Sequence, residues 1–393
     1  MATYFIHPRR LSASPRHVSA TLLYRRFSSR PLLCTGKPPV LWEEETLPEY
    51  DPSLFYPVHI DEVWKGRYHV RAKLGCKDAS EWTWRRTGTI VLERLNASST
   101  DHIGQYCIRK ACETFILERV TGTVNCTHQC LVYEPLGINM REYFDRQQYK
   151  TLGITRAKFF AVYLLNGLDY LHNCGIVHTD GQEEAILSKL VRSKTEQPVP
   201  RKVGDHERTI FTSRPMEYEE PFTYPILCDL GTSVLVEKNH SGKIQALPYR
   251  APEVILGMEW SSSADIWNFG VLLWQLLLGT HLFGNQCESD SLARMAKHLD
   301  QPPDALLERC SPTSTYLGAD GMISTASPLI ISLPVSGPLK LPSLRHIALQ
   351  DLIDENDRDS VFIDFISSTL NWLPEERRTA AELLEHPWLE VDT

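Results

Sequence analysis

His178-Thr179-Asp180, Asp229-Leu230-Gly231 and Leu247-Pro248-Tyr249-Arg250-Ala251-Pro252-Glu253 decide how this chain of 393 residues is read. The first string follows a run, Ile154 to His172, in which Phe159, Phe160, Tyr163, Leu164, Gly167, Leu168 and Leu171 recur at helical spacing. That pattern predicts a long helix packed over most of its circumference, with Asp180 just beyond its end. Taken alone, Asp180 reads as a turn or cap aspartate. Asp229 follows the apolar Pro225-Ile226-Leu227, which argues against a merely solvated loop carboxylate. The value of the three strings lies in their order and in what surrounds them.

Outward from that centre, Ser261 to Gly279 repeats the helical pattern with Ile266, Phe269, Leu273 and Leu276, and Ala380 to Leu389 reads as a terminal helix. Residues 192–225 and 310–345 are polar, contain proline and show no period, so both are expected to be loops. On the N-terminal side, Arg67 to Gly75 alternates and ends at a glycine, a strand signal, and Gln129 to Tyr133 is a short buried strand. Folded sequence is expected from about Tyr56, after the polar lead-in Glu43-Glu44-Glu45-Thr46-Leu47-Pro48.

Composition is that of a globular chain, 42% hydrophobic and 23% charged with 25 prolines. The longest apolar run, Phe269 to Gly279, is interrupted by Gln275 and is too short to span a bilayer. Ten cysteines without a C-x-x-C pair read as reduced thiols of an intracellular protein. Cys126, His128 and Cys130, with Cys107 and Cys112 near them, match no common zinc spacing. Charge is unevenly placed. Residues 1–42 carry seven Arg or Lys and no acid, leaving 34 basic against 49 acidic residues beyond them, a net of −15. An acidic body favours a basic partner and argues against direct nucleic-acid binding, although such charge also serves solubility. The first 42 residues, rich in Arg and Ser, read either as a mitochondrial targeting segment or as a disordered basic tail.

From Tyr56 to Leu389 the chain resembles a eukaryotic protein kinase of the SR-protein-kinase branch in its fungal form. The three strings carry the resemblance, together with Glu44-Glu45-Thr46-Leu47-Pro48, Ser263-Ala264-Asp265-Ile266-Trp267-Asn268-Phe269-Gly270 and Pro374-Glu375-Glu376-Arg377-Arg378-Thr379-Ala380. It implies an α+β, bilobal fold with a small, mostly β, shortened N-lobe over residues 56–136 and a larger, mostly α C-lobe over 137–390. It implies that Asp180 orients the substrate hydroxyl and accepts its proton, and that Asp229 holds Mg²⁺ at the ATP phosphates. Gly75, Glu134 and Leu136 would then line the nucleotide. Glu253 would form a buried ion pair with Arg378, and Asp265 would hold the backbone of the catalytic loop. Thr179, where many kinases carry an arginine, implies a segment ordered without phosphorylation.

Several positions depart from the family pattern. Gln182 stands where a lysine belongs and Ala185 where an asparagine would offer Mg²⁺ an oxygen. Only Gly75 remains of the glycine-rich loop, with Lys77 in the slot of the second glycine. Ile90-Val91-Leu92-Glu93 is the nearest match to the lysine-bearing strand, with Glu in the lysine slot. Val91-Leu92-Glu93-Arg94-Leu95-Asn96 fits better as the end of the helix that follows that strand. The stretch between Gly75 and Leu95 holds about half the roughly 40 residues that two strands and a helix need. Either that segment has eroded or an exon is missing. The expectation is therefore a serine/threonine kinase acting on Arg/Ser-rich proteins with ATP and Mg²⁺, its activity weak or lost; the alternative is a pseudokinase that binds protein.

Overall fold

The computed structural model describes residues 2–8, 18–24, 43–46, 56–76, 87–98, 101–121, 124–134, 136–146, 151–181, 186–189, 201–203, 209–213, 224–236, 240–309, 348–353 and 360–390. The chain divides into two compact units, each assembled from separated stretches. One comprises residues 1–97, 109–138 and 188–223, and the other 98–108, 139–187 and 224–393.

The first unit is built on an antiparallel sheet of six strands: β1 (Ala2–Pro8), β2 (Val18–Tyr24), β3 (Val63–Trp64), β4 (Tyr68–Cys76), β5 (Glu113–Thr121) and β6 (Val124–Tyr133). Their spatial order is β3-β4-β1-β2-β6-β5. The strands expected at Arg67–Gly75 and Gln129–Tyr133 are β4 and the end of a longer β6. Alternation sorts the side chains of β6. Cys130 and Val132 join Val58, Trp64, Tyr68, Val70 and Phe115 in one cluster, while Leu131 and Tyr133 join Leu92 and Ala111 in another. Leu92 lies on α1 (Thr87–Ala97), so residues 90–93 are helical, and the strand match considered for them is corrected in favour of the helix. The edge is closed by charge. Glu113 accepts hydrogen bonds from Tyr68 and Arg67 and pairs with Lys65, three groups on or beside β4.

Two expectations for this unit are overturned. Folded sequence is expected from about Tyr56, after a disordered tail in one reading of residues 1–42, yet β1 and β2 lie within them and enter the sheet through backbone pairing. The lead-in also belongs to the fold. Glu43–Thr46 forms a 3₁₀ turn whose Glu43 carboxylate accepts the Ser213 N–H at 2.9 Å and its hydroxyl at 2.7 Å, with the buried Lys73 Nζ at 3.7 Å. Glu45 pairs with Lys202 at 2.7 Å. Lys202 belongs to a hairpin, Arg201–Val203 with Thr209–Phe211, so part of the expected loop 192–225 is ordered strand. Its Ile210 and Phe211 are buried, which gives the short strands an apolar anchor. Residues 310–345, read as a loop, lie outside the described residues.

The second unit is helical: α2 (Met140–Arg146), α3 (Ile154–Asn173), α4 (Pro252–Ile255), α5 (Ser263–Leu278), α6 (Glu288–His298), α7 (Asp304–Leu307), α8 (Ser360–Thr369) and α9 (Ala380–Leu384). α3 and α5 are the two helices legible in the sequence, and both run through the core. α5 ends where Gly279 adopts φ +71° and returns its N–H to the Gln275 carbonyl, a left-handed cap that favours glycine. Gly270 lets α5 approach α8 closely, because a Cβ there would lie 2.0 Å from Thr369 Oγ1. The expected helix 380–389 is split. α9 opens on a capping box between Thr379 and Glu382 and stops at Glu385, and Pro387, which has no N–H, starts a separate 3₁₀ turn. That turn places Trp388 against Phe362 and Phe365.

Candidate active site

The second unit brings Asp180 and Asp229 into one hydrogen-bonded network. α3 ends at Asn173, and Ile176–Val177 pairs with Val234–Leu235 before the chain turns into His178. Thr179 adopts φ +69°, a left-handed conformation costly for a threonine. Asp265, in the first turn of α5, compensates. Its Oδ2 accepts the His178 N–H at 2.7 Å and its Oδ1 the Thr179 N–H at 2.9 Å, while His172 Nε2 lies 3.0 Å from Oδ2. Asp265 is only 3% exposed, and these donors stand in for the water it has lost. The expected role of Asp265 is thus what the structure shows.

His178 joins the two aspartate-bearing loops. Its Nδ1 accepts the Asp180 N–H at 3.2 Å, which places its proton on Nε2, and Nε2 donates to the Cys228 carbonyl at 2.8 Å. Cys228 directly precedes Asp229, which adopts φ +64° after the buried strand Pro225–Leu227. One imidazole therefore sets the spacing of the two carboxylate loops. Gly181 completes the arrangement, since a Cβ there would stand 2.7 Å from Asn268 Oδ1. Gln182 and Ala185 lie outside the described residues.

The segment from Asp229 to Glu253 is fastened at many points. Thr179 Oγ1 donates within 3.1 Å of the Thr232 carbonyl, Ser233 Oγ donates to the His178 carbonyl at 3.0 Å, and the Gln245 N–H donates to the Thr179 carbonyl at 3.0 Å. Gln245, 6% exposed and at φ +63°, donates through Nε2 to Ala264 and accepts from Ala251. Arg250 donates to the carbonyls of Ile244 and Gln245 and pairs with Glu288, which also holds Lys243. Tyr249 Oη donates to Gln275 at 2.7 Å.

Glu253 does form a buried bidentate ion pair, but its partner is Arg377, at 2.7 Å for both contacts, and not Arg378 as the sequence reading had it. Arg377 follows the 3₁₀ turn Pro374–Glu376 with extended backbone (φ −74°, ψ 134°), so consecutive side chains diverge. Arg377 turns inward over the Trp267 ring, 5.0 Å from its centroid, and Arg378 is exposed.

The other assigned residues belong to the first unit. Gly75 lies near the end of β4, and Lys77 is outside the described residues. Glu134 is exposed after β6, and its carbonyl accepts from Arg109 Nη2 at 3.5 Å while Arg109 lies over the Tyr133 ring. Leu136 is half-buried. The sequence reading missed the tie through His178, the Gln245 bridge and the Glu43–Ser213 contact. A glutamine between loop residues carries no signal of its own, whereas a histidine beside an assigned aspartate did offer one.

The protein kinase domain family model matches residues 108–389. The chain belongs to the protein kinase family. A serine/threonine protein kinase of Aspergillus fumigatus is 33% identical over 88% of this chain and 90% of its own. The serine/threonine-protein kinase SRPK of Physarum polycephalum is 26% identical over 88% and 91%. A mouse dual specificity tyrosine-phosphorylation-regulated kinase 3 is 31% identical over 68% of this chain and 42% of its own. Among solved structures, the crystal structure of a kinase domain superposes with a TM-score of 0.59 at 26% identity, covering 83% of this chain and 89% of that one. The kinase fold and the serine/threonine kinase kinship inferred from the three strings are therefore correct.

Kinases use ATP and Mg²⁺, and the donor set here suits an ion carried by phosphate. Among the described residues no cluster of three or more His, Cys, Asp or Glu could hold a metal by itself, and the two loops joined through His178 carry one aspartate each, Asp180 and Asp229. Mg²⁺ is commonly held by one or two carboxylates plus substrate phosphates. No helix among the described residues is long and apolar enough to cross a membrane.

Proposed function

We propose that the chain is a serine/threonine kinase of the SR-protein-kinase type, directed at serines in basic, Arg/Ser-rich protein segments, with weak or lost phosphoryl transfer. The observation that carries this reading is the fastening of residues 229–253 by Thr179, Gln245, Arg250 and Glu288. A seating segment held by the chain's own neutral and ionic contacts is ready for a peptide without a phosphorylation step. The net charge of −15 beyond residue 42 supplies the attraction to a basic segment, and kinship with an SRPK agrees with it.

In this reading Asp180 orients the substrate hydroxyl and accepts its proton, and Asp229 holds Mg²⁺ at the phosphates. ATP bound together with Mg²⁺ would supply the transferable phosphoryl group and the ion that neutralises its charge. Gly75, Glu134 and Leu136 would line the nucleotide through backbone and apolar contacts. The chain's own electrostatic support for the transferred group is thin. Gln182 carries no charge and Ala185 no oxygen. Each loss of a donor aimed at developing charge costs about 10²–10³ in rate in well-studied sites. The same two residues favour a second reading, a pseudokinase that retains the helical unit as a protein-binding surface.

The test is transfer of labelled phosphate to an Arg/Ser-repeat peptide by the full chain and by D180N, alongside peptide binding at low and high salt. Slow transfer that D180N abolishes supports the kinase reading. Transfer no faster than D180N, with the basic peptide still bound, selects the pseudokinase. Equal binding of acidic and basic peptides at low salt refutes the partner class in both.

A further inference from the structure

The arithmetic of the six-stranded sheet points to an unusual use of the N-terminus. β3 and β4 are one hairpin, β5 and β6 another, and the order β3-β4-β1-β2-β6-β5 sets two strands between them. At about 4.8 Å per neighbour, β4 and β6 stand roughly 14 Å apart. Only residues 77–86 join β4 to α1, and ten residues cannot supply two strands of seven with their turns. The strands come instead from residues 2–8 and 18–24. β1 pairs with β4 from Ala2↔Cys76 to Pro8↔Tyr68, and β2 pairs with β6 from Ser19↔Tyr133 to Tyr24↔His128. Without them the backbone ladder would break into two two-stranded hairpins, each of marginal stability in water, joined only through side chains such as Tyr68, Phe115 and Glu113.

We propose that the Ala2–Tyr24 hairpin is a built-in strand donor that replaces the sheet segment missing between β4 and α1, and that it is a permanent part of the fold rather than a leader to be removed. A targeting segment has to be withdrawn and threaded, whereas this segment supplies the backbone pairing that joins the two halves of the sheet among the described strands, adding to the side-chain contacts of Tyr68, Phe115 and Glu113. Its excision would leave the N–H and C=O groups along one side of both β4 and β6 unpaired. The unit would then either open or recruit a strand from another chain. The proposal is independent of whether phosphoryl transfer survives.

The register provides a test that needs no truncation. Leu22 is the Cα partner of Cys130, and antiparallel partners lie about 4.5–5.5 Å apart, within disulfide range. The full chain carrying L22C is oxidised and digested, and the peptide linking position 22 to Cys130 is quantified by mass spectrometry against L23C, which faces Gln129 instead. At least tenfold more linkage to Cys130 in L22C than in L23C, within a monomer on a non-reducing gel, is the expected result. Equal linkage, none, or linkage found only in dimers overturns the proposal. In parallel, a chain lacking residues 1–42 should lose at least 10 °C of Tm or fail to fold; an unchanged melting temperature also overturns it.

Discussion

Replacing Arg377 by methionine tests the buried ion pair at its centre. The guanidinium makes two 2.7 Å contacts with Glu253, donates to the carbonyls of Ser263 and Asn371 at 2.9 Å each, and stacks over Trp267. Both partners have fully buried side chains. R377M would keep most of the apolar stem but leave the Glu253 carboxylate buried without its counter-charge. Breaking such a pair from one side costs about 3–5 kcal/mol. For a cooperative unit of this size, roughly 2–4 °C of Tm is lost per kcal/mol, so R377M should melt about 6–20 °C lower. R378M, at the exposed neighbour named by the sequence reading, should change Tm by no more than about 2 °C, within the ±0.5 kcal/mol usual for surface positions. The double variant E253M/R377M removes the stranded charge and should recover a good part of the loss. Differential scanning calorimetry on the four proteins decides the matter. If R378M falls further than R377M, or if E253M/R377M melts below R377M, then the ion pair is assigned to the wrong residues or does not carry this energy.

Three shorter predictions follow from the same network. G181A brings a Cβ within 2.7 Å of Asn268 Oδ1, so it should lose about 1–3 kcal/mol of stability by overpacking, and N268A in that background should recover part of it; denaturant melts without that recovery would remove the contact from the loop's support. With only Gly75 left of the glycine-rich motif and no Val-Ala-x-Lys string in the sequence that follows it, ATP–Mg²⁺ at tens of micromolar should leave Tm unchanged; at a hundredfold excess over Kd a ligand adds about 2.7 kcal/mol, so a clear upward shift would show tight nucleotide binding. At Glu113, burial pushes the carboxyl up, but hydrogen bonds from Tyr68 and Arg67 and the charge of Arg67 outweigh it, so its pKa lies below the ordinary 4.5. Its contribution is therefore present above pH 4.5 and is lost as pH falls through the depressed value. E113Q should be less stable at pH 7 by about 1–3 kcal/mol, and urea melts should show the gap narrowing as pH falls below 4.5.

What the sequence disclosed, and what it hid, divides by the range of the interaction that fixes each element. α3 and α5 were readable because their apolar residues repeat around the whole helix, a signal contained in twenty consecutive residues. The hold of Asp265 on the His178–Thr179 backbone was readable from a short string, as were the two loops that carry Asp180 and Asp229. Arg377 and Arg378 were not separable, because adjacent arginines carry the same string and only the backbone parity after Pro374–Glu376 decides which one turns inward. Gln245 acts through carbonyls and an N–H of residues such as Ala264 and Ala251, which leave no trace in side-chain pattern.

The N-terminus shows the limit most sharply. Val18-Ser19-Ala20-Thr21-Leu22-Leu23-Tyr24 is rich in strand-forming residues, as is Tyr4-Phe5-Ile6, yet the Arg and Ser around them dominated the composition of the first 42 residues. Their partners, Cys76 for Ala2 and Cys130 for Leu22, lie far along the chain, and no local rule connects them. The shortage of residues between Gly75 and Leu95 was visible in the sequence and was read as loss. In the sheet that shortage is a vacancy for two strands, and the chain fills it from its own beginning. The basic stretch at the start of the chain and the strands on either side of that shortage thus meet in one sheet, joined by pairings that no local reading connects.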